Sequence, residues 1–399
     1  MLRLSFLLAV FGQIPASFDG SMVYDLAHGP VRYDQVASNE ISRLSTSKLH
    51  FEPRHGYLLS VLKNLKIPLS SQTLVFSKTS FQAPHIFPHA PRAIYFNDDT
   101  YIGWVKGADY LEISTADPVL GAVFYVLEQE PKIRPRLERH DDCLQCHHSA
   151  RTSGVPGHII RSVYTQPGGQ IHTNTSNYVT DQRSPMAERW GGWYVSGKID
   201  FPHLGNQLFS DLETGRKLKP FDSPAWPAQT SDVVAHLVLA HQSAGHNYLA
   251  RLNYETRAAL QLQKVMNEMD HKPDIESSWS ESTRRRITNA IEAAVRYLTF
   301  ADEAPLPSAI TGDSDFSMEF ERRHPLKKLN LKTRVFEYPL SYLIESKAMS
   351  ALEPVIREKL DLRIEHVLLE EAGENSFSQL DPARARQAWR IYQDAHSRN

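Results

Sequence analysis

The hydrophobic pattern of the chain changes period partway along. Residues 72–76, 92–96, 101–105, 110–113 and 122–127 are short runs of aromatic and β-branched side chains, and runs of that length bounded by Gly, Pro, Asn and Asp predict strands. Asn97-Asp98-Asp99 is a turn signal between two of them, so residues 94–105 are expected to form a hairpin. Upstream, Leu58, Leu59, Leu62 and Leu65 fall at helical spacing until Pro68 ends the pattern. Downstream, residues 158–164 predict another strand, and residues 167–181 a Gly/Asn/Thr-rich loop. Past a Pro-rich passage at 220–227 the period becomes helical. With Ser231 as a suitable N-cap, Val234, Val238, His241, Gly245, Tyr248 and Leu252 share one stripe. Ile287, Ile291, Val295 and Leu298 place a second helix over 282–300, and Pro305 and Pro307 break the chain after it. Residues 340–369 carry one or two helices interrupted at Pro354, and Asp381-Pro382 opens the last one. The expectation is an α+β protein, with a strand-rich half over 21–218 followed by a mainly helical half over 228–399.

A length of 399 residues admits two domains, and 41% hydrophobic with 23% charged residues is the balance of a soluble globular chain. A net charge of −2 argues against a broad nucleic-acid or anionic-membrane surface. Met1-Leu2-Arg3, an apolar run to Phe11 and then Ile14-Pro15-Ala16 follow the order of a signal peptide, expected over residues 1–20; a buried N-terminal segment is the other reading. The run is shorter than the ~20 residues a bilayer needs, and no later stretch is apolar enough for a transmembrane segment.

The chemistry concentrates at Cys143-Leu144-Gln145-Cys146-His147, which holds both cysteines of the chain. C-x-x-C-H is the spacing of a c-type haem attachment site: the thiols form thioethers with the haem vinyl groups, and the histidine becomes the proximal iron ligand. Three other readings stand beside it. They are a C-x-x-C redox pair, a metal site completed by distant histidines, and a small structural disulfide. Haem attachment implies one covalent haem c and agrees with export, since bacteria attach this haem outside the cytoplasm; a periplasmic location is therefore expected. His147 should donate its Nδ1–H to a backbone carbonyl, with Pro156 the candidate acceptor.

Trp190 and Trp193, beside Gly191 and Gly192, suit a flat wall against a porphyrin, or equally an aromatic core. For the far side of the iron the candidates are His203, next to Gly205, and His241, on the apolar stripe of its helix. His158, His172, His246 and Asn247 rank behind them.

Residues 91–98, 143–147, 189–197, 203–206, 238–247 and 334–344 resemble blocks of a family of uncharacterised, exported bacterial proteins that carry a cytochrome c-type haem-attachment domain. The resemblance covers most of the chain after Val75 and implies haem and this architecture, but it supplies no reaction. Met186 and Leu204 stand where members often have phenylalanine and methionine, which counts against a methionine iron ligand. The expected function is electron transfer or haem-based redox chemistry with a redox partner protein or a small-molecule substrate. A haem gas or redox sensor, and a haem-free C-x-x-C redox or metal-binding protein, are the alternatives.

Overall fold

Seven strands form one antiparallel sheet in the order β11-β3-β4-β5-β6-β7-β8. They are β3 (Thr73–Val75), β4 (Arg92–Phe96), β5 (Thr100–Trp104), β6 (Tyr110–Asp117), β7 (Gly121–Glu128), β8 (Leu137–Arg139) and β11 (Trp193–Tyr194). A two-stranded ribbon of β9 (Arg161–Val163) and β10 (Asn177–Val179) forms a second sheet beside β11. The structure, a computed structural model, describes residues 44–219, 221 and 223–396, residues 40–41, and a short hairpin of β1 (Met22–Asp25) and β2 (Gly29–Arg32). The segment expected to be a signal peptide lies outside the described residues. No described helix is long and apolar enough to cross a membrane.

The expected hairpin is β4–β5. Asn97 Oδ1 closes its turn by accepting from the Asp99 and Thr100 N–H groups at 3.2 and 2.9 Å. β6 and β7 extend beyond their apolar runs because polar residues continue the pairing, with Thr115 opposite Thr100, and because Asp117 Oδ1 caps the turn at Val119 and Leu120. Register sorts the sheet into two faces. Phe96, Tyr101, Ser114 and Phe124 pair in one row across β4–β7, and Ile94, Gly103, Glu112 and Val126 in another on the same face. The intervening row of Tyr95, Ile102, Ile113 and Tyr125 points the other way.

That second face packs on helix α1 (Leu58–Asn64), whose Leu58, Val61 and Leu62 share a core with Tyr95, Ile102, Trp104 and Trp226. The first face meets the helical half. Val75, Ile94 and Phe96 belong to the same core as Val234, Val238, Leu298 and Phe336, so one hydrophobic core joins the strand-rich and helical parts. After the short α2 (Leu144–His147), the main elements are α3 (Val233–Met269), α4 (Glu281–Leu298), α5 (Phe316–Glu321), α6 (Lys347–Ser350), α7 (Pro354–His366) and α8 (Pro382–His396). Pro354 and Pro382 each sit at the first position of a helix, where a missing N–H costs nothing. Pro354 therefore starts a helix as well as ending the preceding segment.

The first three turns of α3 are buried on all sides, and the helix runs well past Leu252, for roughly 55 Å. Its cap is Asp232, not Ser231. Asp232 Oδ1 accepts from Val234 N–H at 2.7 Å, while its Oδ2 accepts from Asp313 N–H, Ser314 N–H and Ser314 Oγ–H at 3.0, 2.9 and 2.7 Å. The carboxylate is fully buried, so truncating it strands several donors. Asp232→Ala is expected to lose about 2 kcal/mol or more of stability. The urea midpoint checks this; an unchanged midpoint would mean that the cap is dispensable.

Candidate functional site

The two cysteines and His147 line one cavity of about 650 Å³, within the ~300–1,000 Å³ range of cofactor and small-molecule sites. Its floor is the first face of the sheet, from which Arg92, Ile94, Tyr101, Glu112, Ser114 and Phe124 point into it. Leu239 and Ser243, one turn apart on α3, close the inner end, and the segment 78–81 forms another wall.

The motif folds as a tight turn, with a 3₁₀ turn over Asp141–Cys143 running into α2. Cys143 is half-buried and Cys146 exposed, and neither is in a disulfide. Burial, then the nearby Glu112 carboxylate, pushes the Cys143 thiol up to about 12. That is the opposite of the lowered thiol pKa that makes a C-x-x-C pair reactive. Among the described residues, no group of three or more His, Cys, Asp or Glu side chains converges to hold a metal ion.

His147 is oriented from behind. Its Nδ1 lies 2.9 Å from the Gly157 carbonyl oxygen, which can only accept, so Nδ1 carries the proton and the lone pair sits on Nε2. The Gly157 N–H returns a bond to the His147 carbonyl at 2.8 Å. Burial holds the His147 pKa below its ordinary value, so the ring is neutral at neutral pH, the state that a metal ligand requires. The acceptor is thus the carbonyl one residue beyond Pro156. The Pro156 carbonyl instead takes the Ala122 N–H at 2.8 Å, which fastens this loop to the start of β7.

Arg92 and Glu112 form an ion pair on the cavity floor, both largely buried. Glu112 also accepts from Ser80 Oγ at 2.5 Å and Gln82 Nε2 at 2.8 Å. Gly103, between the two strands, makes this possible: a Cβ there would sit 2.4 Å from Arg92 Nη2. Around the rest of the cavity Lys78, Arg151 and Arg161 contribute positive charge.

His158 is the further buried histidine brought to this cavity. Its Nε2 meets Ser114 Oγ at 3.1 Å, and its ring lies 4.3 Å from that of Tyr101. Burial, His246 and His147 keep it neutral. Its backbone follows directly on Gly157, on the supporting side of His147.

The histidines expected to face the iron lie elsewhere. His203 Nδ1 accepts from Gly205 N–H at 3.0 Å, and its Nε2 is 3.2 Å from Lys217 Nζ. His241 donates from Nδ1 to Gln182 Oε1 at 2.6 Å, and its Nε2 lies 2.8 Å from Ser341 Oγ. His241 thus has a partner at both ring nitrogens and His203 one at Nδ1, and neither ring lines the cavity. His246 bonds the Asp98 carbonyl at 2.8 Å, and His172 stacks on Phe209 at 4.0 Å. Trp190 and Trp193 also stand off the cavity, in the core shared with α3, where Trp193 Nε1 donates to the Arg161 carbonyl at 2.7 Å. The paired glycines beside them serve backbone crossings: a Cβ at Gly191 would meet the Val163 carbonyl at 2.7 Å, and one at Gly192 the Ser77 side chain at 2.6 Å.

Sequence reasoning missed the floor residues. Arg92, Glu112 and Ser114 are polar positions in apolar strands, which is the available signal; the face they share follows only from the register.

No protein-family model, no curated protein and no solved structure matches this chain.

His236 and His241 are buried, and desolvation lowers both to about 3. The folded state refuses protons that the unfolded state takes up below 6.5, so these groups withdraw stability as pH falls through 6.5 toward 3 and have no effect above it. Urea midpoints are expected to fall between about pH 7 and pH 5, and to fall less steeply in His236→Gln and His241→Gln. A parent midpoint flat across that window would contradict this.

Proposed function

We propose that this chain is an exported c-type haem protein. One haem is held by thioethers to Cys143 and Cys146 with His147 as its axial ligand, and it serves electron transfer or haem-based redox chemistry. The observation that carries this reading is the orientation of His147. Its Nδ1–H is fixed on the Gly157 carbonyl, its neutral ring keeps a lone pair on Nε2, and it shares a cavity of about 650 Å³ with both thiols. A second-sphere acceptor on a ligating imidazole is what iron ligation calls for.

The cavity's chemistry fits the group. Ile94 and Phe124 offer apolar surface to a macrocycle, while Lys78, Arg151 and Arg161 offer cations to its two carboxylates. When bound, the haem supplies a one-electron couple and an iron coordination position. The chain's own residues do the rest: His147 ligates, Gly157 fixes its tautomer, and the buried Arg92–Glu112 pair keeps the floor neutral overall. Export rests on the sequence of residues 1–20, and the resemblance to exported haem-attachment proteins agrees with it. A redox pair is the weaker reading, since burial works against a Cys143 thiolate.

Protein produced with the periplasmic haem-attachment machinery is expected to keep one haem through acid–acetone extraction, seen as added intact mass. Cys143→Ser together with Cys146→Ser should lose it. Complete extraction of haem from the parent, or labelling of both cysteines as free thiols, would overturn the reading.

A further inference from the structure

The Gly157 carbonyl that supports His147 is itself one end of a peptide group, and the other end is held by the helical half. Asn247, buried on α3, accepts from the His158 N–H through Oδ1 at 2.8 Å and donates through Nδ2 to the His158 carbonyl at 2.7 Å. The His158 N–H and the Gly157 C=O belong to the same planar unit. A continuous hydrogen-bonded chain therefore runs from Asn247 Oδ1 through that peptide to His147 Nδ1–H. The approach is close enough to require glycine, because a Cβ at 157 would lie 2.4 Å from Asn247 Oδ1.

We propose that Asn247 is a positioning residue which, through the Gly157–His158 peptide, sets how strongly His147 donates to the haem iron. The proposal rests on the haem reading above. Its physical basis is cooperativity. A peptide whose N–H is engaged carries more negative charge on its carbonyl oxygen and is the better acceptor. A better acceptor on Nδ1–H raises the basicity of the imidazole at Nε2, and a more basic ligand favours ferric over ferrous iron. The pair of bonds also fixes the carbonyl's direction, so α3 holds the ligand's tautomer and tilt without touching it. By this route the helical half is coupled to the iron.

The test is the midpoint potential of the holoprotein, measured by optical redox titration, after intact mass has shown that each protein holds its haem. Asn247→Leu removes the acceptor for the His158 N–H and is expected to shift the potential upward. Gly157→Ala keeps the carbonyl but displaces Asn247, and should shift it the same way. Asn247→Asp retains an acceptor for that N–H and should stay at or below the parent. A purely structural role would move Asn247→Leu and Asn247→Asp together. Asn247→Leu at the parental potential, or an equal rise in Asn247→Asp, would overturn the proposal; if Asn247→Leu does not fold, Gly157→Ala at the parental potential does so. A parent without covalent haem would instead overturn the proposed function.

Discussion

The peptide group between Gly157 and His158 is gripped from two directions, and the geometry of the site follows from that grip. On one side it accepts from His147; on the other it is held by Asn247 of the longest helix. One residue earlier, the Pro156 carbonyl ties the same loop to β7. Sheet, motif and helix meet within three consecutive residues. A loop on its own would let the imidazole swing between rotamers, whereas this one is satisfied at successive backbone groups and has no low-cost alternative. The four-residue α2 is too short to hold a side chain rigidly, so His147 takes its order from this loop.

The cavity is an electrostatic compromise. Its floor carries a guanidinium and a carboxylate among largely apolar strand residues, and the two neutralise each other with help from Ser80 and Gln82. Such a pair contributes little net stability, because desolvation offsets the attraction. It does leave polar groups inside a cavity that also holds neutral imidazoles. The buried histidines of α3 have another task. His236 bonds the Tyr194 carbonyl, His241 spans Gln182 and Ser341, and His246 bonds the Asp98 carbonyl. Spaced five residues apart, they join one side of the helix after another to the elements around it.

Much of this was legible in the sequence. Short aromatic and β-branched runs marked the sheet strands, Asn97-Asp98-Asp99 marked the β4–β5 turn, and Asp381-Pro382 marked the last helix, because each signal is local. The C-x-x-C-H spacing is likewise a local signal, and the structure brings its two cysteines and His147 to one cavity. Direction was less legible. The apolar stripe made His241 a candidate for iron or for a hydrogen bond inside the core; α3 is buried all round at that level, and the ring is hydrogen-bonded to Gln182 and Ser341. The Trp-Gly-Gly-Trp block suited a flat wall or equally an aromatic core, and its tryptophans lie in the core, with the glycines making room for the backbone at Val163 and the Ser77 side chain. Ser231 lost the cap to its neighbour Asp232, whose two oxygens could serve the helix and a distant loop at once. His158 drew little weight at an expected strand start, and its importance comes from following the one glycine that supports His147.

The most direct test of the account is to locate iron. Crystals of protein matured with haem, measured on either side of the iron absorption edge, give the metal position independently of any starting coordinates. The account predicts one anomalous peak inside the cavity, within bonding distance of His147 Nε2, with density joining the macrocycle to both cysteine sulfurs. Iron bound at His203 or His241, or a cavity without iron in crystals of the matured protein, would contradict it.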